Sequence, residues 1–230
     1  MRALVLTLTA AVLVAPHVAS AADGEPRKAL TKEGQATARS VLLRRADLGT
    51  GFTPVARPKD QRLPKGARCG PLDESDLTVT GDAASPDFRF AKDAVFVTVG
   101  STAQVYRTLR DANASWGRGT TAQTTRCLAD IVRLSAAPGE KIAVVSARRT
   151  PFPAVSPKAV AYRLVVDVTL RGTQRVRAYV DAVILQHGRV QTGILFTSLG
   201  RPVRDVDRVA LASVVAARLA KAGGPGGPIA

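Results

Sequence analysis

The stretch "VAYRLVVDVTLRGTQRVRAYVDAVILQHGRVQTGILF", residues 160–196, decides the fold. Val160, Tyr162, Leu164, Val166, Val168 and Leu170 fall on every second position. So do Val176, Ala178, Val180, Ala182 and Ile184, and then Val190, Thr192, Ile194 and Phe196. A period of two marks a half-buried strand, and three such runs with glycine-bearing turns predict an antiparallel meander. With Arg171-Gly172-Thr173 as the first loop, Val166 lies opposite Ala178 on the core face. The same register sets Asp167 beside Arg177, and Arg163 beside Asp181, on the other face. Two opposite-charge pairs from one register support it. For the second hairpin the expectation is a three-residue loop, Gln186-His187-Gly188, with Gly188 left-handed.

Working outward, "KIAVVSARRT" (141–150) adds a strand before the meander, and "DLTVT" (76–80) reads as a short strand. "GDAASPDF" (81–88) reads as a turn or bulge, and "DAVFVTV" (93–99) as a further strand. A helix is predicted from about Thr31 to Ala46, with Ala36, Val41 and Leu42 on its apolar side. Ser101-x-x-Gln104 has the form of a capping box, opening a helix with Val105, Leu109, Ala112 and Trp116 as its stripe. Another helix spans about Thr121 to Leu134, with Cys127, Leu128, Ile131 and Leu134 on one side. The last starts near Pro202; its second half is apolar on nearly every side, which predicts packing on more than one face. Asp23 to Lys32 is polar and reads as mobile. The order predicts an α+β fold: an antiparallel β-sheet packed with helices, including a long C-terminal helix.

The first residues read differently from the domain. Arg2, the uncharged apolar run Leu4 to Val14 and the small residues Ala19-Ser20-Ala21 make residues 1–21 a secretory signal peptide. The expected organisation is that signal, one domain over 22–222 and a disordered Gly/Pro tail over 223–230. An exported chain, secreted or associated with the cell envelope and without a transmembrane segment once the signal is removed, is the corresponding expectation.

Export bears on the two cysteines, Cys69 and Cys127, because oxidising compartments favour pairing. The expected reading is one structural disulfide. The alternatives are two free buried thiols, or chemistry. A zinc site needs about four ligands, and a nucleophile needs a base. After the signal, His187 is the one imidazole, and the hairpin places it at a turn. No catalytic residue, metal site or cofactor is therefore assigned.

The formal net charge is +15, from 33 Lys+Arg against 18 Asp+Glu. Such a field attracts polyanions: cell-wall polymers, lipid headgroups or nucleic acid. The basic residues are dispersed, with no basic arm, and export argues against nucleic acid. Dispersed arginine also fits a GC-rich genome with no functional meaning. Asp73, Glu74, Asp76, Asp82, Asp87 and Asp93 cluster in the sequence. They read as solvated or helix-neutralising acids, a divalent-cation site, a catalytic pair, or partners for the protein's own arginines. "FRF" (88–90) reads either as a base-stacking triplet or as one strand with its arginine outward.

At "DLTVTGDAASPDF", "STAQVYRTLRDANASW", "TTRCLADIV" and the terminal strand-strand-helix, the chain resembles small exported actinobacterial proteins of unassigned function. The order of elements is similar to the extracellular sensor domain of mycobacterial serine/threonine kinases and to PsbP/Mog1-like α/β/α sandwiches. The resemblance implies a non-enzymatic binding or sensing module and identifies no ligand residues.

The function expected from the sequence is an exported, monomeric, non-enzymatic binding domain. Its expected ligand is an anionic envelope polymer or lipid, or a small amphiphile. Arg163 and Arg177 are the candidate ligand-binding residues if the second sheet face is open; otherwise they only pair with Asp181 and Asp167. The alternatives are a secreted carboxylate-dependent hydrolase using acids of the 73–93 region, and a structural protein docking a partner through its last helix.

Overall fold

A computed structural model describes residues 24–57, 69–93, 95–136, 140–169 and 175–223. The signal peptide, the loop Arg171-Gly172-Thr173 and residues 224–230 of the tail lie outside them. The described elements form one sheet and four helices. In chain order they are β1 (Arg27–Lys28), α1 (Lys32–Val41), β2 (Thr53–Val55), β3 (Thr78–Ala84), β4 (Asp87–Lys92) and β5 (Val95–Tyr106). There follow α2 (Leu109–Gly119), α3 (Ala122–Leu134), β6 (Lys141–Thr150), β7 (Lys158–Thr169), β8 (Arg175–His187), β9 (Val190–Leu199) and α4 (Asp205–Gly223).

The sheet runs β1-β3-β5-β9-β8-β7-β6, with β4 also on β5 and β2 on β4. It is mixed, which corrects the purely antiparallel expectation, because β1 pairs with β3 in parallel. The segment read as mobile is drawn onto an edge whose carbonyls need donors. Arg27 N donates to Leu77 O, Ala29 N to Val79 O and Thr31 N to Thr80 O.

The β7–β8 register is the one the alternation and charges demand: Val166 opposite Ala178, Asp167 opposite Arg177, Arg163 opposite Asp181. The β8–β9 turn differs from expectation. His187 pairs with Val190, so the loop is the two residues Gly188-Arg189, with Gly188 at φ 54°. The cause is that both faces of the sheet are buried. Val160, Leu164, Val180 and Ile184 join one core with Leu128 and Val132 of α3. Val190, Ile194 and Phe196 join the opposite core with α1 and α4. The alternating set of β9 therefore faces the other way from that of β8, and an odd-numbered residue of one strand meets an even-numbered residue of the next.

Two more expectations give way in the first half. The capping-box pattern at Ser101 lies inside β5. Ser101 is fully buried, and its Oγ accepts from Leu43 N at 2.8 Å, so the hydroxyl serves a tertiary contact rather than a helix start. The helix begins eight residues later at Leu109, with Thr108 Oγ1 accepting from Asp111 N. Leu109 is exposed, and the buried residues of α2 are Ala112 and Ser115. "GDAASPDF" is mostly strand: β3 pairs with the second half of β5, β4 with the first half. They break at Ser85-Pro86, where proline has no N–H to give.

In α1 the buried face is Gly34, Ala38 and Val41, whereas Ala36 is exposed. Gly34 and Gly81 let α1 and β3 meet backbone to backbone; a Cβ on Gly34 would lie 2.2 Å from Thr80 O. In α3, Cys127, Leu128 and Ile131 are buried and Leu134 is exposed. Helix α4 buries one stripe, Arg208, Ala212, Val215, Ala216 and Leu219, and leaves Val206 and Val214 exposed. It thus packs on one face, since the valines opposite that stripe meet no other layer. Its last residue, Gly223, sits against the β8–β9 turn, where a Cβ would lie 2.4 Å from His187 O. No helix among the described residues is long and apolar enough to cross a membrane.

Candidate functional site

The cysteines come together as a disulfide, with Cα atoms 4.9 Å apart and 58 residues of separation. Cys127 is on the buried side of α3, and Cys69 precedes a short turn, Gly70–Leu72, that packs Leu72 against Ile131. In the chain-entropy picture a loop of this length is worth about 4 kcal/mol. Both cysteines are buried, and among the described residues no three His, Cys, Asp or Glu side chains converge as metal ligands.

Arg163 and Arg177 lie on the sheet face opposite α3, and both already hold a carboxylate. Arg177 meets Asp167 through Nε at 2.8 Å and Nη2 at 3.0 Å. Arg163 meets Asp181 through Nε at 2.6 Å and Nη2 at 3.3 Å. The second pair is part of a larger cluster. Arg208 of α4, 2% exposed, donates to Asp181 at 3.1 Å and to Asp205 at 2.6 Å. Burial pushes the Asp181 carboxyl up, while Arg163 and Arg208 pull it down.

The acids of the 73–93 region are spread through the fold. Asp76 takes both Nη atoms of Arg118, at 2.6 and 2.8 Å. Asp73 accepts from Ser75 N, and Asp82 pairs with Lys28 at 2.9 Å. Glu74 is buried and bonded to the Tyr106 hydroxyl at 3.1 Å; the same hydroxyl meets Ser115 Oγ at 2.7 Å. Burial raises the Glu74 carboxyl above the usual range. Asp93 takes a left-handed turn position, φ 53°. The reading as partners for the protein's own arginines fits Asp76 and Asp87, whereas Asp82 holds a lysine.

A different constellation emerges around Asp87, on the sheet face shared with α2 and α3. Arg89, Thr98 and Thr197 stand side by side on β4, β5 and β9. Neighbouring strands are about 4.8 Å apart, so the three side chains form one row. Thr98 is 6% exposed and Thr197 3%, yet neither hydroxyl has a hydrogen-bond partner. Arg89 Nε is also buried and unpartnered, and the Arg89 guanidinium lies 5.6 Å from the centre of the Phe96 ring. Next along β5 is Gly100. Arg57 Nη2 and Asp87 Oδ1 occupy the space a side chain there would need, 2.2 and 2.4 Å from an ideal Cβ. Arg57 Nε is 2.8 Å from Asp87 Oδ1, while Arg57 Nη2 is buried without a hydrogen-bond partner. Burial pushes Arg57 down and Asp87 up, each against the attraction of the other.

This row has more donors than acceptors. An orphaned buried polar group costs about 1–3 kcal/mol, so four together mark a place where the fold has not satisfied itself. Sequence reading named Asp87 and Arg89 but did not assemble them with Arg57, Thr98 and Thr197. The available signal was the alternation of Thr98 with the valines of β5, which places a hydroxyl on the face away from Val97 and Val99. "FRF" is one strand, with Phe88 buried on the face away from Arg89.

No protein-family model matches the chain, and its sequence matches none of the curated proteins it was compared with.

Proposed function

We propose that this chain is an exported, non-enzymatic binding module for an anionic ligand, an envelope component or a small amphiphile. The observation that carries this reading is the Arg57–Arg89–Thr98–Thr197 row, where buried guanidinium nitrogens and hydroxyls converge without hydrogen-bond partners. One carboxylate, Asp87, pairs with Arg57 and feels the charge of Arg89 as well. A bound anion would supply the missing charge and the missing acceptors together. The chain's resemblance to exported sensor domains points the same way. Arg163 and Arg177 serve this reading less well, because their donors are already committed to Asp181 and Asp167.

Native mass spectrometry of protein purified gently from culture medium tests the reading. The expected result is a co-purifying anion that is lost from a folded Arg57→Gln, Arg89→Gln variant. An empty chain that also ignores anionic amphiphiles and envelope polymers in titration would overturn it.

A further inference from the structure

We infer that the ligand of the Arg57–Arg89 row is a small apolar carboxylic acid, bound through its ionised carboxylate. The inference rests on the anion-binding reading above and names the class of anion. Charge comes first. Arg57 and Arg89 against Asp87 leave one unit of positive charge, which a monoanion matches and a dianion exceeds.

The donor count agrees. Arg57 Nη2, Arg89 Nε, Thr98 Oγ1 and Thr197 Oγ1 are buried and unpartnered. An ionised carboxylate offers about four lone-pair positions on two oxygens and carries no hydrogen of its own. An alcohol or an amide could bond the threonine hydroxyls but would leave the positive charge of the two guanidinium groups unmatched.

The flanks define the rest of the molecule. On one side of the row Phe96 of β5 pairs with Leu199 of β9. On the other side Gly100 pairs with Leu195, which is buried. Beyond Thr197, its partner on β8 is Val180, also buried. Arg57 and Asp87 fill the space over Gly100, so the apolar body would lie along the Phe96–Leu199 side, which suits an acid with an alkyl or aryl body and not a hydrophilic polymer. Arg89 and Phe96 are half-buried, so the row reaches solvent at this end.

Calorimetric titration of the full chain with decanoate, decanol and decyl phosphate tests the inference. The expected result is decanoate binding at least tenfold tighter than either of the others. A Thr98→Val, Thr197→Val variant is expected to lose about tenfold in decanoate affinity while keeping or raising its Tm, since each change replaces an orphaned hydroxyl with a methyl group. Equal binding of decanoate and decanol, or full affinity in the valine variant, would overturn the inference. Preference for decyl phosphate, lost in the same variant, would overturn the carboxylate assignment and leave the anion-binding reading standing. No binding of any probe, with valines that only raise the Tm, would overturn both and make the threonines ordinary hydrated sheet residues.

Discussion

The sheet carries two arginine-rich places, and they differ in how far the fold has completed them. Around Asp181, Arg163 and Arg208 face the carboxylates of Asp181 and Asp205, and Arg208 Nε is the donor left over. Around Asp87, two arginines face one carboxylate, and two buried threonines add further donors. The first place is a structural clamp fastening α4 to β8. The second has the electrostatics of a socket. A count of arginines would rank the two alike; a count of unmet hydrogen bonds separates them.

The most forceful way to break the comparison is to open the clamp. Asp181→Ala leaves Arg208, 2% exposed, beside Arg163 with one carboxylate gone. Stripping one partner from a buried pair costs about 3–5 kcal/mol, so chemical denaturation should show a loss of that size. The socket should respond chiefly in binding. Gly100→Ala pushes Arg57 Nη2 and Asp87 Oδ1 out of their places. The expected outcome is roughly a tenfold loss of anion affinity, equal to about 1.4 kcal/mol, beside a smaller fall in stability than Asp181→Ala produces, checked by titration and calorimetry.

A third buried cluster sharpens the contrast through pH. Glu74 is held by Tyr106 and Ser115, with Arg118 and Asp76 nearby, and burial raises its folded pKa above the unfolded value. The folded state therefore takes up this proton at a higher pH than the unfolded chain does. Glu74's contribution to stability rises as pH falls from neutral through its folded pKa, and levels off below its unfolded value. Glu74→Gln should flatten that slope in urea melts at successive pH values and leave decanoate binding unchanged. The smallest effect belongs to Asp167→Asn. Its pair with Arg177 is open to water, and denaturation midpoints should scarcely move.

Much of the clamp was legible in the sequence. Alternation in β7 and β8, with Arg163, Asp167, Arg177 and Asp181 between the apolar positions, sets one register, and that register puts Arg163 on Asp181. The β8–β9 register was not legible in the same way. Val190, Ile194 and Phe196 announce a buried face without saying which one, and this sheet has two. The parallel strand β1 was hidden too, because Arg27 and Lys28 carry no apolar pattern and their register on β3 is set by backbone hydrogen bonds. At Ser101 a local signal for a helix lost to tertiary contacts with Leu43 and Ser85. The socket was beyond reach for a related reason. Arg89, Thr98 and Thr197 become neighbours only when β9 returns to β5, and Arg57 reaches them from outside the regular part of the sheet.

The contact of Gly223 with His187 has a consequence for orientation. Tyr106 N donates to Arg189 O, so the finish of α4, the β8–β9 turn and the last residue of β5 share one rim of the sheet. Gly24 reaches that rim too, through its carbonyl on Glu74 N. Thr98 is eight residues back along β5, roughly 25 Å away. A tether or affinity tag fixed beyond either Gly24 or Gly223 would hold the molecule by one rim and present the socket from the other, with its mouth turned away from whatever surface holds it.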